Sequence, residues 1–181
     1  MYKNLTYIII FLLFSSGSWG QTLNYQIFTN IIPSTEASTV YSFAQDTQGL
    51  IWIGTNNGLF SYDGYSAQQH FTFGEKSNTL IHSMLVHKDS NLLLATDNGL
   101  LIYNYKTDRY EDINTDFPPD VRAIAKRDNI LWIGSLNGLF RYNLETKELK
   151  SISKDVYSGL PHNTIYSIIT TRDNTLYIGT Y

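Results

Sequence analysis

The chain is 181 residues long, enough for one ordinary domain with a real core, and its net charge is −3. That balance leaves no electrostatic footprint for nucleic acid, and no basic amphipathic stretch marks a membrane surface. There is no cysteine, which excludes disulfides, thiolate metal sites and a cysteine nucleophile; fourteen Tyr, nine Phe and three Trp favour strands.

Residues 1–20 read as a signal peptide. Lys3 gives a positive start, Leu5 to Phe14 form an apolar run, and small residues lead to a cleavage before Gln21. The run is shorter than the ~20 apolar residues of a spanning helix. No cysteine follows it, so lipid attachment there is excluded. The chain is therefore expected to be exported, with a periplasmic location, and to make no membrane contact once the leader is removed. Residues 21–36 hold a lone strand, Leu23 to Phe28, and a linker; such a terminal strand can complete the last blade of a closed ring.

From residue 37 to 181 one phrase recurs. It reads Leu50-Ile51-Trp52-Ile53-Gly54-Thr55-Asn56-Asn57-Gly58-Leu59-Phe60, returns at Leu92 to Leu101 and Leu131 to Phe140, and a fourth copy begins at Leu176 and is cut at Tyr181. A period of about forty residues, built of short apolar runs and Asn-Gly turns, is the mark of a radial β-repeat. Each unit reads as four strands. Val40 to Gln45 opens the first, Asp46-Thr47-Gln48-Gly49 turns it, and Leu50 to Thr55 follows. Asn57-Gly58 suits a two-residue type I′ hairpin, Leu59 to Tyr62 is the third strand, and a more polar outer strand lies around Ser66 to Phe73. Blades fall near 40–75, 81–115 and 121–155, with a truncated one at 164–181.

The second strand is apolar on both faces, as expected where a sheet packs against a neighbour on each side. Gly54, Gly134 and Gly179 then mark a close approach by another backbone or a large ring. Trp52, Trp132 and Tyr177 share one repeat position and are expected in the core, not as sugar-stacking platforms. The fold class is all-β, about three and a half four-stranded blades of an incomplete β-propeller. Because propellers need about four to eight blades, the chain reads as the N-terminal piece of something longer, or else as a truncated product that does not fold stably alone.

The phrase Val40-Tyr41-Ser42-Phe43, Asp46 to Gly58, and the connector Gly159-Leu160-Pro161-His162-Asn163-Thr164-Ile165-Tyr166 resemble the two-component regulator propeller repeat. The resemblance covers roughly residues 40 to 181. The second unit departs most, with Leu93 for the tryptophan and Ala95 for the glycine. The resemblance implies two seven-bladed propellers, a small β-sandwich, a membrane helix and a cytoplasmic output such as a histidine kinase, the whole working as a homodimer anchored in the inner membrane. It also implies an oligosaccharide ligand and a non-catalytic role for this part. None of the cytoplasmic parts lies in these residues.

Catalytic and metal chemistry is not legible. Asp112 to Asp116 opens like a calcium loop but has Phe117 at the glycine position and Ala123 at the bidentate position. Ser151 and Lys154 lie on a strand, not one helical turn apart. His70, His82, His87 and His162 show no ligand spacing. No catalytic residue, cofactor or metal ligand is assigned. Strand alternation puts the Asn-Gly hairpins and the blade connectors on one face, where propellers commonly bind near the axis. Asn56, Asp97, Arg122 and His162 are the non-repeating residues expected there. The competing expectations are an exported propeller enzyme, such as a polysaccharide lyase or quinoprotein, and a non-signalling scaffold or adhesion propeller.

Overall fold

The computed structural model describes residues 39–70, 79–88, 90–112, 117–173 and 175–181. The leader, the strand expected at 23–28 and most of the calcium-like segment lie outside them. The described residues form antiparallel meanders. The first sheet is β1 (Val40–Gln45), β2 (Ile51–Thr55), β3 (Gly58–Tyr62) and β4 (Ala67–His70). The second is β5 (Ile81–His87), β6 (Asn91–Thr96), β7 (Gly99–Asn104) and β8 (Arg109–Asp112). The third is β9 (Val121–Arg127), β10 (Ile130–Ser135), β11 (Gly138–Asn143) and β12 (Leu149–Ile152). A fourth, two-stranded sheet pairs β13 (Ile165–Thr170) with β14 (Leu176–Thr180).

The sheets stack face to face, and the core is the set of gaps between them. Leu92 and Leu94 of β6 join Trp52, Leu59, Ile81, Met84 and Tyr103 between the first and second sheets. Leu93 and Ala95, from the other face of the same strand, join Val121, Ile124, Leu131 and Ile133 between the second and third. Ala123, Ala125, Leu139, Leu160, Ile165 and Ile168 fill the third gap. All three successive leucines of β6 are fully buried, so this strand has no wet face, and each contributes about 1.5–3 kcal/mol. This is the layered burial of propeller blades.

Three local expectations need correction. The first concerns the Asn-Gly turn. Thr55 pairs with Gly58, so the central residues are Asn56 and Asn57, and neither is left-handed; Gly58 holds φ 94°, just after the turn. Gly99 and Gly138 repeat this at 113° and 143°. A type I turn followed by a left-handed glycine replaces the type I′ geometry. A buried hydroxyl organises it: Thr55 Oγ1 donates to the Gly58 carbonyl at 2.9 Å and accepts from Asn57 N–H at 3.0 Å. Thr96 and Ser135 do the same in the next two blades.

The second concerns the repeat glycines. Side chains, not a backbone or a ring, press on Gly54 and Gly134: aliphatic groups of the next blade at both, and at Gly54 also the Ser42 hydroxyl of its own sheet. A methyl at Gly54 would meet Ile81 Cγ2 and Met84 Cε at 2.8 Å each, and one at Gly134 would meet Ile165 Cγ2 at 2.5 Å. Gly179 is crowded by Ser167 of its own sheet. The third concerns the aromatic position. Trp52 is buried and Trp132 half-buried, but Tyr177 is 61% exposed, because no further sheet among the described residues covers β13 and β14.

Candidate functional site

β1, β5, β9 and β13 are the first strands of their sheets and follow one another side by side, β1 against β5, β5 against β9, β9 against β13. In each sheet the register slips near the start of this strand. The slips fall between Val40 and Ser42, Ile81 and Ser83, and Ile165 and Ser167; in the third sheet Val121 and Ala123 face the successive residues Ser135 and Gly134. One residue per blade is thereby left out of the ladder: Tyr41, His82, Arg122 and Tyr166. A bulge of this kind re-aims its side chain. The cause lies in the flanking residues. Ser42, Ser83, Ala123 and Ser167 are small and pair with Gly54, Ala95, Gly134 and Gly179, so the strand is pinned there and the extra residue is turned out.

The bulge residues of successive blades meet. Tyr41 and His82 stand edge to face with ring centroids 5.6 Å apart. Burial first, then the neighbouring Arg122 guanidinium, lowers the His82 pKa to about 4, against the opposing pull of Asp97 and Asp120. Its imidazole is neutral at ordinary pH. Arg122 Nη2 lies 3.6 Å from Asp120 Oδ1. Three buried polar atoms in this region have no hydrogen-bond partner within the protein: His82 Nε2, Arg122 Nε and Ser42 Oγ. Unpaired buried polar groups cost about 1–3 kcal/mol each, so a cluster of them on one face calls for an explanation.

The four sequence candidates divide. Asn56 Oδ1 accepts from Thr39 N–H at 3.1 Å, and Asp97 Oδ1 from Leu80 N–H at 3.2 Å, so each ties the incoming connector to its hairpin. His162 Nδ1 accepts from Thr164 N–H at 3.0 Å, and its ring lies 5.5 Å from Tyr181. Only Arg122 belongs to the bulge series, with Asp97 beside it as a charge. Sequence reasoning missed Tyr41, His82 and Tyr166. The signal was present as a β-branched residue, a varying residue and a small residue at the head of each unit: Val40-Tyr41-Ser42, Ile81-His82-Ser83, Val121-Arg122-Ala123, Ile165-Tyr166-Ser167. Among the described residues no group of three or more His, Asp or Glu is placed to hold a metal.

Stacked four-stranded meanders around a series of inner strands define the class: this is a β-propeller array. The chain is more specifically a two-component regulator propeller, whose family model matches residues 36–57 and 159–181. It is similar to the crystallised extracellular domain of BT4673 from B. thetaiotaomicron, assigned to a hybrid two component system, at 55% identity over 87% of this chain with a TM-score of 0.80. It also resembles the extracellular domain of BT3049 from the same organism, likewise assigned to a hybrid two component system, at 23% identity over 80% of this chain and TM-score 0.67. Virginiamycin B lyase from Staphylococcus aureus shares the fold at 13% identity, covering 81% of this chain and 50% of its own, with TM-score 0.62. The chain spans about a fifth of the solved hybrid-system relatives, 21% of the first and 22% of the second. No curated protein matches it.

Proposed function

We propose that this chain is part of the ligand-sensing region of a two-component sensor, exported to the periplasm behind a cleaved leader and without catalysis of its own. The observation that carries the reading is the bulge series. One non-repeating side chain per blade is turned out at the head of the inner strand, and buried polar atoms around it lack partners. Similarity to the extracellular domain of BT4673 supports the sensor role.

The chemistry suits an oligosaccharide. Tyr41 and Tyr166 offer aromatic faces, 47% and 52% exposed. Arg122 supplies fixed donors, while neutral His82 can donate or accept. Asp97 and Asp120 add acceptors. Such a mixture matches a ligand whose hydroxyls do both. Binding would shift a homodimer of the longer, membrane-anchored protein and feed a phosphorelay.

The test is calorimetric titration with fragments of host and plant polysaccharides. Binding by the wild-type chain, weakened at least tenfold by Arg122→Ala and by His82→Ala, is expected. A glycan that binds both variants as tightly as wild type would overturn the placement; absence of any glycan binding would overturn the ligand class.

A further inference from the structure

A cleft lies on the face opposite the bulge residues, between the first two blades. It is bordered by the turns β1–β2, β3–β4 and β7–β8 and encloses about 290 Å³. Behind it lies the buried Trp52 ring, 4.9 Å from His70 and 5.3 Å from Tyr105, so that of these three rings the partly exposed Tyr105 and the edge of His70 face the cleft. The rim carries Gln48, Gln68 and Lys106.

His70 departs from the repeat. It pairs with Leu59, and the equivalent pair in the third blade is Leu139 with Ile152. An apolar position has become a partly buried imidazole, whose pKa is lowered mainly by desolvation. The sequence meets that cost with a relay. Tyr103 Oη donates to Asp108 Oδ1 at 2.7 Å, so it must accept from His70 Nδ1 at 2.8 Å. Nε2 is then an acceptor, and Ser61 Oγ donates to it at 2.8 Å. The tautomer and plane of the ring are fixed across two blades. Ser61 is 6% exposed, so the pair holds the ring and does not present a nucleophile.

The carboxylates beside the cleft already have work. Asp46 accepts from Gln48 N–H, Leu50 N–H and the Trp52 indole. Asp63 Oδ1 accepts from Tyr65 and Ser66 N–H. The side chains of Gln48, Gln68 and Lys106 make no hydrogen bond to the described residues and point to the cleft. Two amides that donate and accept, one ammonium and the partly exposed Tyr105 ring, held against Trp52, match a small, neutral, polyhydroxylated ring. The volume falls just below the range of small-molecule sites, about 300–1,000 Å³, which suits one ring and not a chain of them. We propose that this cleft binds a single neutral sugar ring, independently of the bulge residues Tyr41, His82, Arg122 and Tyr166.

The test uses the Trp52 indole N–H resonance, with D-glucose, D-galactose and D-mannose as probes. At least one is expected to shift it with a dissociation constant of about 1–10 mM. His70→Ile, which installs the third-blade residue, should weaken the response at least tenfold, and Gln68→Ala, which leaves the buried relay intact, at least threefold, whereas Arg122→Ala should leave it unchanged. No shift with any of the three hexoses, an equal response in His70→Ile, or loss of the response in Arg122→Ala would each overturn the proposal.

Discussion

Replacing Gly54 by Ala tests how the blades lock. On strand propensity alone the change should help, by about 0.5–1 kcal/mol, because glycine loses the most entropy when ordered. Packing points the other way. The new methyl would press on Ser42 Oγ of its own sheet and stand 2.8 Å from both Ile81 Cγ2 and Met84 Cε of the second, against an optimal carbon separation near 3.5–4.0 Å. Ile81 and Met84 are buried, so relieving their contacts means moving the second blade, while the Ser42 hydroxyl must also turn aside; overpacking of this kind costs about 1–3 kcal/mol. The net loss is about 1–2 kcal/mol, or a fall of about 2–8 °C in Tm for a domain of this size. The second blade contains its own control. There the glycine position is Ala95, and the residue aligned with Ile81 and Ile165 is the smaller Val121, packed in the same cluster. Ala95→Gly should cost about 1.5 kcal/mol, from one buried methyl and added chain entropy. Val121→Ile should cost about 1–3 kcal/mol by crowding Ala95. The double variant should recover at least about 1 kcal/mol of the summed loss. Thermal unfolding followed by circular dichroism reads all four. A Gly54→Ala chain as stable as wild type, or additive losses in the double variant, would refute the argument.

Two further outcomes follow from the same geometry. His82 should titrate near pH 4 when its ring protons are followed by NMR, far below the ordinary 6.5. Because its folded pKa is depressed, the unfolded chain takes up the proton first; the stability associated with neutral His82 is complete above about pH 6.5 and is lost as pH falls towards 4. Arg122→Ala should raise that pKa, and a midpoint already at 6 to 7 in the wild-type chain would refute the burial assigned to the ring. Thr96→Val should cost about 2 kcal/mol, since it strips the Gly99 carbonyl and the Asn98 N–H of a fully buried hydroxyl; urea denaturation that shows no loss would refute the role given to that hydroxyl.

The strands and their stacking were legible because apolar runs such as Leu92-Leu93-Leu94 admit no wet face and the Asn-Gly motif recurs with them. What escaped depends on partners distant in sequence. Tyr177 was expected in the core because its position is buried in Trp52, but burial belongs to the neighbouring sheet, not to the residue. The Asn-Gly dipeptide suits more than one turn, and the hydroxyl of Thr55 decided which. His70 looked bland because Ser61, Tyr103 and Asp108 lie on three different elements. Asn56 and Asp97 were singled out as non-repeating polar residues, yet polar side chains just after a hairpin's first residue are well placed to tie down a backbone amide, and both do so.

The bulge series explains how a repeat can hold its fold and still vary its surface. Pairing of Ser42, Ser83, Ala123 and Ser167 with glycine or alanine fixes the register on one side of the slip, and Val40, Ile81, Val121 and Ile165 fix it on the other. The residue between takes no part in the ladder. Tyrosine, histidine and arginine occupy it in successive blades without disturbing the pairing on either side. In an array whose core is set by a period of about forty residues, such a position is where side chains can change with the least effect on packing. Exchanging Tyr41 and Arg122 should therefore leave Tm nearly unchanged while altering any binding at the proposed bulge-residue site; a double exchange that unfolds the chain would mean that these side chains hold the blades together, and that proposed site would lose its main support.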